Sequence, residues 1–156
     1  MRQKKVLFFV CVMIPITVGS IASLITRDGM DSFQLMRQPA LAPPDWLFPV
    51  VWTILYFLMG VSSYLVMSSS ASKEQKEKAI LLYEYQLAAN FLWPTFFFHF
   101  EWYLFSFLWL VLLWILVFLM MIQFWKIDKR AAILNVPYLL WLTFAGYLNL
   151  AIWWLN

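Results

Sequence analysis

The sequence predicts an all-α membrane protein: a bundle of five transmembrane helices, N-terminus cytoplasmic and C-terminus outside. Three observations carry this. Hydrophobic residues make up 64% of the 156-residue chain and charged residues 12%, against about half and a quarter in soluble domains. The apolar residues fall in long blocks separated by short polar segments, as expected where lipid is the solvent. Nine of the eleven lysines and arginines fall on one side of five such blocks: Arg2, Lys4, Lys5, Lys73, Lys76, Lys78, Lys126, Lys129 and Arg130. Only Arg27 and Arg37 fall on the other, and this asymmetry sets orientation. The basic residues therefore read as topology signals, not as a nucleic-acid footprint. One membrane domain is expected over 1–156.

The first helix is expected over about 6–26. Its basic start and apolar run also fit a signal peptide. A retained helix is preferred because it is long enough to span and the charge asymmetry needs it. Pro15 is tolerated in a membrane helix. Gly19 and Ser23 form a small-residue pair that lets another helix approach. Cys11, the only cysteine, excludes an internal disulfide and reads as a lipid- or helix-facing small residue.

Residues 27–45 read as a long polar loop holding Arg27, Asp28, Asp31, Arg37 and Asp45, of a length often found in lids. Pro43 and Pro44 keep the chain extended before Trp46, an interfacial ring. The second helix follows over about 46–67. Residues 68–78 read as a solvated linker, and helices three to five are expected over about 79–98, 102–125 and 131–154.

Polar groups inside these helices are the informative ones. Gln86 and Asn90 share a face at i, i+4, continued by Tyr83, Trp93 and Phe97. A mid-membrane amide is costly without a partner, so this stripe should face the bundle interior, where helix–helix bonding alone could account for it. Pro94 frees a backbone carbonyl and is a candidate kink. Trp141, Ala145 and Asn149 line one face of the fifth helix, flanked by Tyr138, Phe144 and Leu148, while Trp153 and Trp154 read as interface anchors. Helical rise places Trp52 about 9 Å below Trp46 and Trp93 about 9 Å below His99. The unusual groups of three helices thus meet in the outer half of the membrane under the loop, as an aromatic pocket suited to flat hydrophobic ligands. Glu84 is a weaker candidate for a proton relay, and His99 for a haem ligand. No nucleophile triad, phosphate loop, carboxylate pair or metal site is evident, and no cofactor is expected.

Three blocks resemble the translocator protein family, also known as the peripheral-type benzodiazepine receptor family, in its bacterial form. They are PP-x-W followed by W-x-x-LY-x-x-MG at 43–60, Q-L-x-x-N-x-x-W-P at 86–94, and PYL-x-W-L-x-F-A-x-x-LN at 137–149. The resemblance implies a five-helix bundle, typically a homodimer, that binds porphyrins, cholesterol, and isoquinoline or benzodiazepine ligands under its first loop. Carried over, the ligand contacts are Trp52, Asn90, Trp93, Trp141, Phe144, Ala145 and Leu148. The positions of the vertebrate cholesterol motif hold Leu150 and Trp154 instead, and Phe33 and Leu41 stand where many members have Trp. The expected function is a membrane receptor or sensor for porphyrins and related ligands. The alternatives are light- and oxygen-dependent porphyrin breakdown with Trp52 and Trp141 as redox partners, and transport of tetrapyrroles or sterols.

Overall fold

The computed structural model describes residues 2–156, with the side chains of residues 30–32 left out of the description. Every regular element described is helical: α1 (Arg2–Ile25), α2 (Arg27–Gln34), α3 (Leu47–Ser68), α4 (Lys73–Pro94), α5 (Tyr103–Ile127), α6 (Lys129–Ile133) and α7 (Val136–Leu155). Four segments are long and apolar enough to cross a membrane: α1, α3, α5, and α6 with α7 taken together. The fifth expected span, α4, is 22 residues long, but its first two turns hold Lys73, Glu74, Lys76, Glu77 and Lys78.

The distribution of side chains departs from that of soluble proteins: beside an apolar core, polar side chains are buried and many large apolar ones lie exposed. Gln86 and Ser62 are fully buried, while Leu24 is 71% and Leu140 65% exposed. Many apolar rings and aliphatic chains point outward, and the amides of Gln86, Asn90, Asn135 and Asn149 point inward. Such a surface suits a hydrocarbon solvent, in which buried polar groups must bond to one another.

The long helices pack as a ring, α3 on α1, α1 on α4, α4 on α5 and α5 on α7, closed where α6 returns to α3. Small residues set the tightest contact. A Cβ on Gly60 of α3 would lie 2.5 Å from Val12 Cα and 2.8 Å from the Cys11 carbonyl oxygen. One on Gly19 of α1 would overlap the Tyr56 ring. The helix approach expected at Gly19 is thus made within the chain, and Cys11 is buried there.

Three expected boundaries are corrected. Residues 73–78 are helix, not linker: Ser72 Oγ accepts from the Gln75 N–H (3.3 Å), and Gln75 Oε1 accepts from the Ser72 N–H (3.1 Å). This reciprocal cap satisfies two N-terminal donors, and Lys78–Glu74 (2.7 Å) and Lys73–Glu77 (3.6 Å) add i, i+4 pairs. The loop 27–45 contains α2, with Asp28 in its first turn where the helix dipole favours an anion. The fifth helix is broken at Leu134 and Asn135. There the buried Asn135 Nδ2 donates to Ser62 Oγ (2.9 Å) and to the Ala131 carbonyl (2.9 Å), tying α7 to α3.

At Pro94 the chain leaves the α-helical path. Proline lacks the N–H that would continue the α ladder, and the chain goes on as a π turn, Thr95–His99. Glu101 then takes a left-handed conformation (φ 56°), which reverses the chain into α5.

Candidate functional site

A cavity of about 750 Å³ opens among α1, α3, α4 and α7, with Arg27 and Phe33 of α2 and Asp45 at its edge. That volume lies in the upper part of the usual range for small-molecule sites, about 300–1,000 Å³.

Its floor is built from residues on three helices. Tyr56 Oη donates to Asn90 Oδ1 (2.8 Å). Asn90 Nδ2 donates to Tyr138 Oη (2.7 Å), and Tyr138 Oη donates to Gln86 Oε1 (2.9 Å). Each donor faces an acceptor, so the chain of bonds has one polarity from Tyr56 to Gln86. It joins α3, α4 and α7 and satisfies both ends of the Asn90 amide and the oxygen of Gln86, while the buried Gln86 Nε2 has no partner among the described residues. Asn90 itself lines the cavity.

The walls are aromatic. Trp52 stacks on Tyr56 (5.5 Å between centroids) and meets Tyr138 edge-on (6.2 Å). Trp93 stacks on Phe97 (5.5 Å). With its amide oriented to suit its neighbours, Asn149 accepts from Trp93 Nε1 (3.2 Å) and donates to the Tyr103 carbonyl (2.7 Å), which fixes that indole. Trp141 meets Phe48 edge-on (5.9 Å). Offset and edge-on pairs of this kind add to the stabilisation that comes from burial.

The mouth carries the charge. Arg27 and Asp45 line it, both exposed, and Asp45 accepts from Gln34 Nε2 (3.1 Å). Arg37 is exposed and outside the lining.

Six residues expected at the site line this one cavity: Trp52, Asn90, Trp93, Trp141, Ala145 and Leu148. Phe144 does not line it; its ring packs on Trp141 (5.5 Å) and Tyr147 (6.2 Å). Glu84 and His99 are exposed and lie outside the lining. Among the described residues no three potential metal ligands converge.

Sequence reasoning missed the wall from α1, formed by Ile16, Gly19, Ser20, Ser23 and Leu24, and the rings of Phe33 and Phe48. The small pair at Gly19 and Ser23 was the available signal. It marked a close approach without naming α3 as the partner. Chemically, the site offers indole and phenol faces, one ordered amide on the floor, and a cation (Arg27) and a carboxylate (Asp45) at the rim. It suits a flat apolar body with an anionic edge.

Comparison with known proteins gives one consistent result. The model of the TspO/MBR family matches residues 11–155. The chain is 35% identical to the tryptophan-rich protein TspO of Chlorobaculum tepidum, over 100% of this chain and 99% of that one. It is 37% identical to protein CrtK of Rhodobacter capsulatus, over 80% and 78%. It is also 37% identical to the tryptophan-rich sensory protein of Cereibacter sphaeroides, over 73% and 70%.

Proposed function

The chain belongs to the TspO/MBR family and is an integral membrane protein; from that premise we propose that it is a receptor or sensor for porphyrins. Isoquinoline- and benzodiazepine-type ligands share the same cavity in this reading. The observation that carries it is the cavity itself: aromatic walls, the Asn90 amide on its floor and Arg27 at its rim. A porphyrin matches each part, with a flat ring for the walls and propionates for the arginine. The name of the Cereibacter relative, a sensory protein, favours sensing over transport.

In this proposal α4 is the fifth span, the N-terminus is cytoplasmic, and the cavity lies in the outer half of the bilayer. The dimer implied by the family is held by a surface other than Gly19, whose open side meets Tyr56.

A titration of detergent-purified protein with protoporphyrin in the dark, followed by tryptophan quenching, tests the reading. Saturable quenching is expected, and its absence would remove the porphyrin assignment. Charge reversal separates the two loop arginines. Arg27→Glu should weaken protoporphyrin about tenfold and leave neutral isoquinolines unchanged, on the scale of a partly exposed ion pair. Arg37→Glu should have little effect on either, and equal losses at the two positions would sink the role given to the rim.

A second reading is favoured by Trp52 and Trp141 lining the same cavity. Under light and oxygen these indoles are placed to donate electrons to a bound macrocycle. A light-dependent product that disappears in Trp52→Phe and Trp141→Phe variants still able to bind would support porphyrin breakdown. The same product from both variants would reject it.

A further inference from the structure

The opening of the cavity does not end at its charged rim. α1 and α3 touch backbone to backbone where a Cβ on Gly60 would meet Val12 Cα. Nearer the rim the contact passes through a ring: a Cβ on Gly19 would overlap Tyr56. Beyond that ring the two helices present residues that line the cavity and are also exposed: Ser20, Ser23 and Leu24 from α1, Pro49 and Thr53 from α3. Lining the cavity does not by itself expose a residue. Asn90 of α4 and Ala145, Leu148 and Ile152 of α7 line it and are buried. The exposure on α1 and α3 therefore comes from outside the bundle, and the two helices frame a slot. Ser20 lies five residues inside the end of α1 at Ile25, and Thr53 six inside the end of α3 at Leu47, so the slot reaches about 8–9 Å below the helix ends. Both helices are long and apolar enough to span, which puts the slot against lipid chains. Its neighbours Val50 and Ile54 are exposed apolar residues. Its hydroxyls are already bonded: Ser20 Oγ donates to the Ile16 carbonyl (2.8 Å) and Thr53 Oγ1 to the Pro49 carbonyl (2.7 Å). Neither proton needs a partner from the bilayer.

We infer that a phospholipid acyl chain enters the cavity through this slot and fills it until another ligand takes its place. The chain gains no hydrophobic energy by leaving the bilayer, whose interior is as apolar as the walls. What favours entry is the space. A volume of about 750 Å³ left unfilled would deprive its lining of dispersion partners, and water is poorly held between indole and aliphatic walls. The slot runs up to Arg27 at the rim, so a lipid with one chain in the slot has its phosphate at the level of that guanidinium. The bilayer thus competes for the site with any ligand dissolved in it. The inference goes beyond the porphyrin reading and does not depend on it.

The test reconstitutes the full chain in vesicles containing a phosphatidylcholine with a diazirine at the middle of one acyl chain. After illumination the crosslinked residues are mapped by mass spectrometry. Crosslinks are expected at Ala145 and Leu148 on the α7 wall, besides those at outward residues such as Leu140. Ser23→Trp puts an indole in the slot and should lower the Ala145 and Leu148 crosslinks at least about fivefold, with those at Leu140 unchanged. Ile21→Trp is the control: Ile21 is exposed on α1 and outside the lining, and the substitution should change neither set. Thermal unfolding shows that each variant is folded, and Thr53→Trp fills the slot from its other edge should Ser23→Trp fail to fold. Crosslinks confined to outward residues would overturn the occupant. Cavity crosslinks unchanged by Ser23→Trp, or lowered equally by Ile21→Trp, would overturn the slot as the way in. No other ligand is present, so a chain that failed to bind protoporphyrin would lose the proposed function and keep this result.

Discussion

Two residue types decide how this chain packs: glycines at helix crossings and polar side chains in the interior. Gly60 and Gly146 make the contrast. At Gly60 a methyl would meet backbone atoms of α1, which cannot rotate aside. Gly60→Ala should therefore destabilise by about 1–3 kcal/mol. At Gly146 the nearest atom to a new Cβ is Leu110 Cδ2 at 3.5 Å, ordinary contact, and Gly146→Ala should be neutral or stabilising by up to about 1 kcal/mol. Thermal unfolding in detergent reads both; equal losses at the two sites would contradict the packing described. Tyr138→Phe should cost roughly 1–2 kcal/mol, because it removes an acceptor from Asn90 and a donor from Gln86 while both amides stay buried. The inward facing of Gln86 and Asn90 was legible in the sequence, since an amide in hydrocarbon must find a partner. Their partners were not. Tyr56 and Tyr138 come from helices 34 and 48 residues away from Asn90, and periodicity within one helix says nothing about which neighbour it meets.

At the scale of elements, hydrophobic blocks located the long helices, and errors gathered at their ends. The charges of 73–78 read as a solvated linker, yet the Ser72 and Gln75 spacing is a helix-start signal that overrides polarity. The small helix α2 was hidden because a short polar helix has no apolar period long enough to detect. The break before α7 depends on Asn135 reaching Ser62, a tertiary bond that no local pattern encodes. Asp128 gives a test at this scale. Its carboxylate caps α6 by accepting from the Arg130 N–H (2.9 Å), and Arg130 Nε and Nη2 bind it at 3.1 and 2.8 Å. The Arg130 side chain beside it lowers its pKa below the usual carboxylate value. A depressed pKa contributes stability that is full above the unfolded value, near 4, and is lost as pH falls through the folded value. Asp128→Ala should cost about 1 kcal/mol at neutral pH. The difference from the parent should shrink only on acidification below about pH 4; a cost unchanged at acid pH would mean that the charge is not what caps the helix.

For the whole molecule, the sequence gathered the unusual groups of three helices by depth alone, using helical rise and the direction of each span. Six of the seven residues carried over from the family blocks do line one cavity. Phe144 fell outside because a helix face is about as wide as one or two residues per turn. Residue 144 sits beside 141 and 145 on that wheel, and its ring packs on Trp141 and Tyr147 instead of lining the cavity. The α1 wall was out of reach for another reason: its lining residues are small or aliphatic, and nothing in their chemistry separates a cavity wall from a helix contact. The central claim is that this cavity is where the ligand binds. Ala145→Trp tests it most directly, by filling the space from a buried position on α7 with little demand on the floor network. The measurement is the protoporphyrin Kd of this variant and of the native chain in the dark, with thermal unfolding to show that the variant is folded. A folded variant should bind at least about tenfold more weakly, the loss expected when an indole occupies the ligand's volume. A folded variant that binds with the native Kd would place the porphyrin elsewhere on the protein.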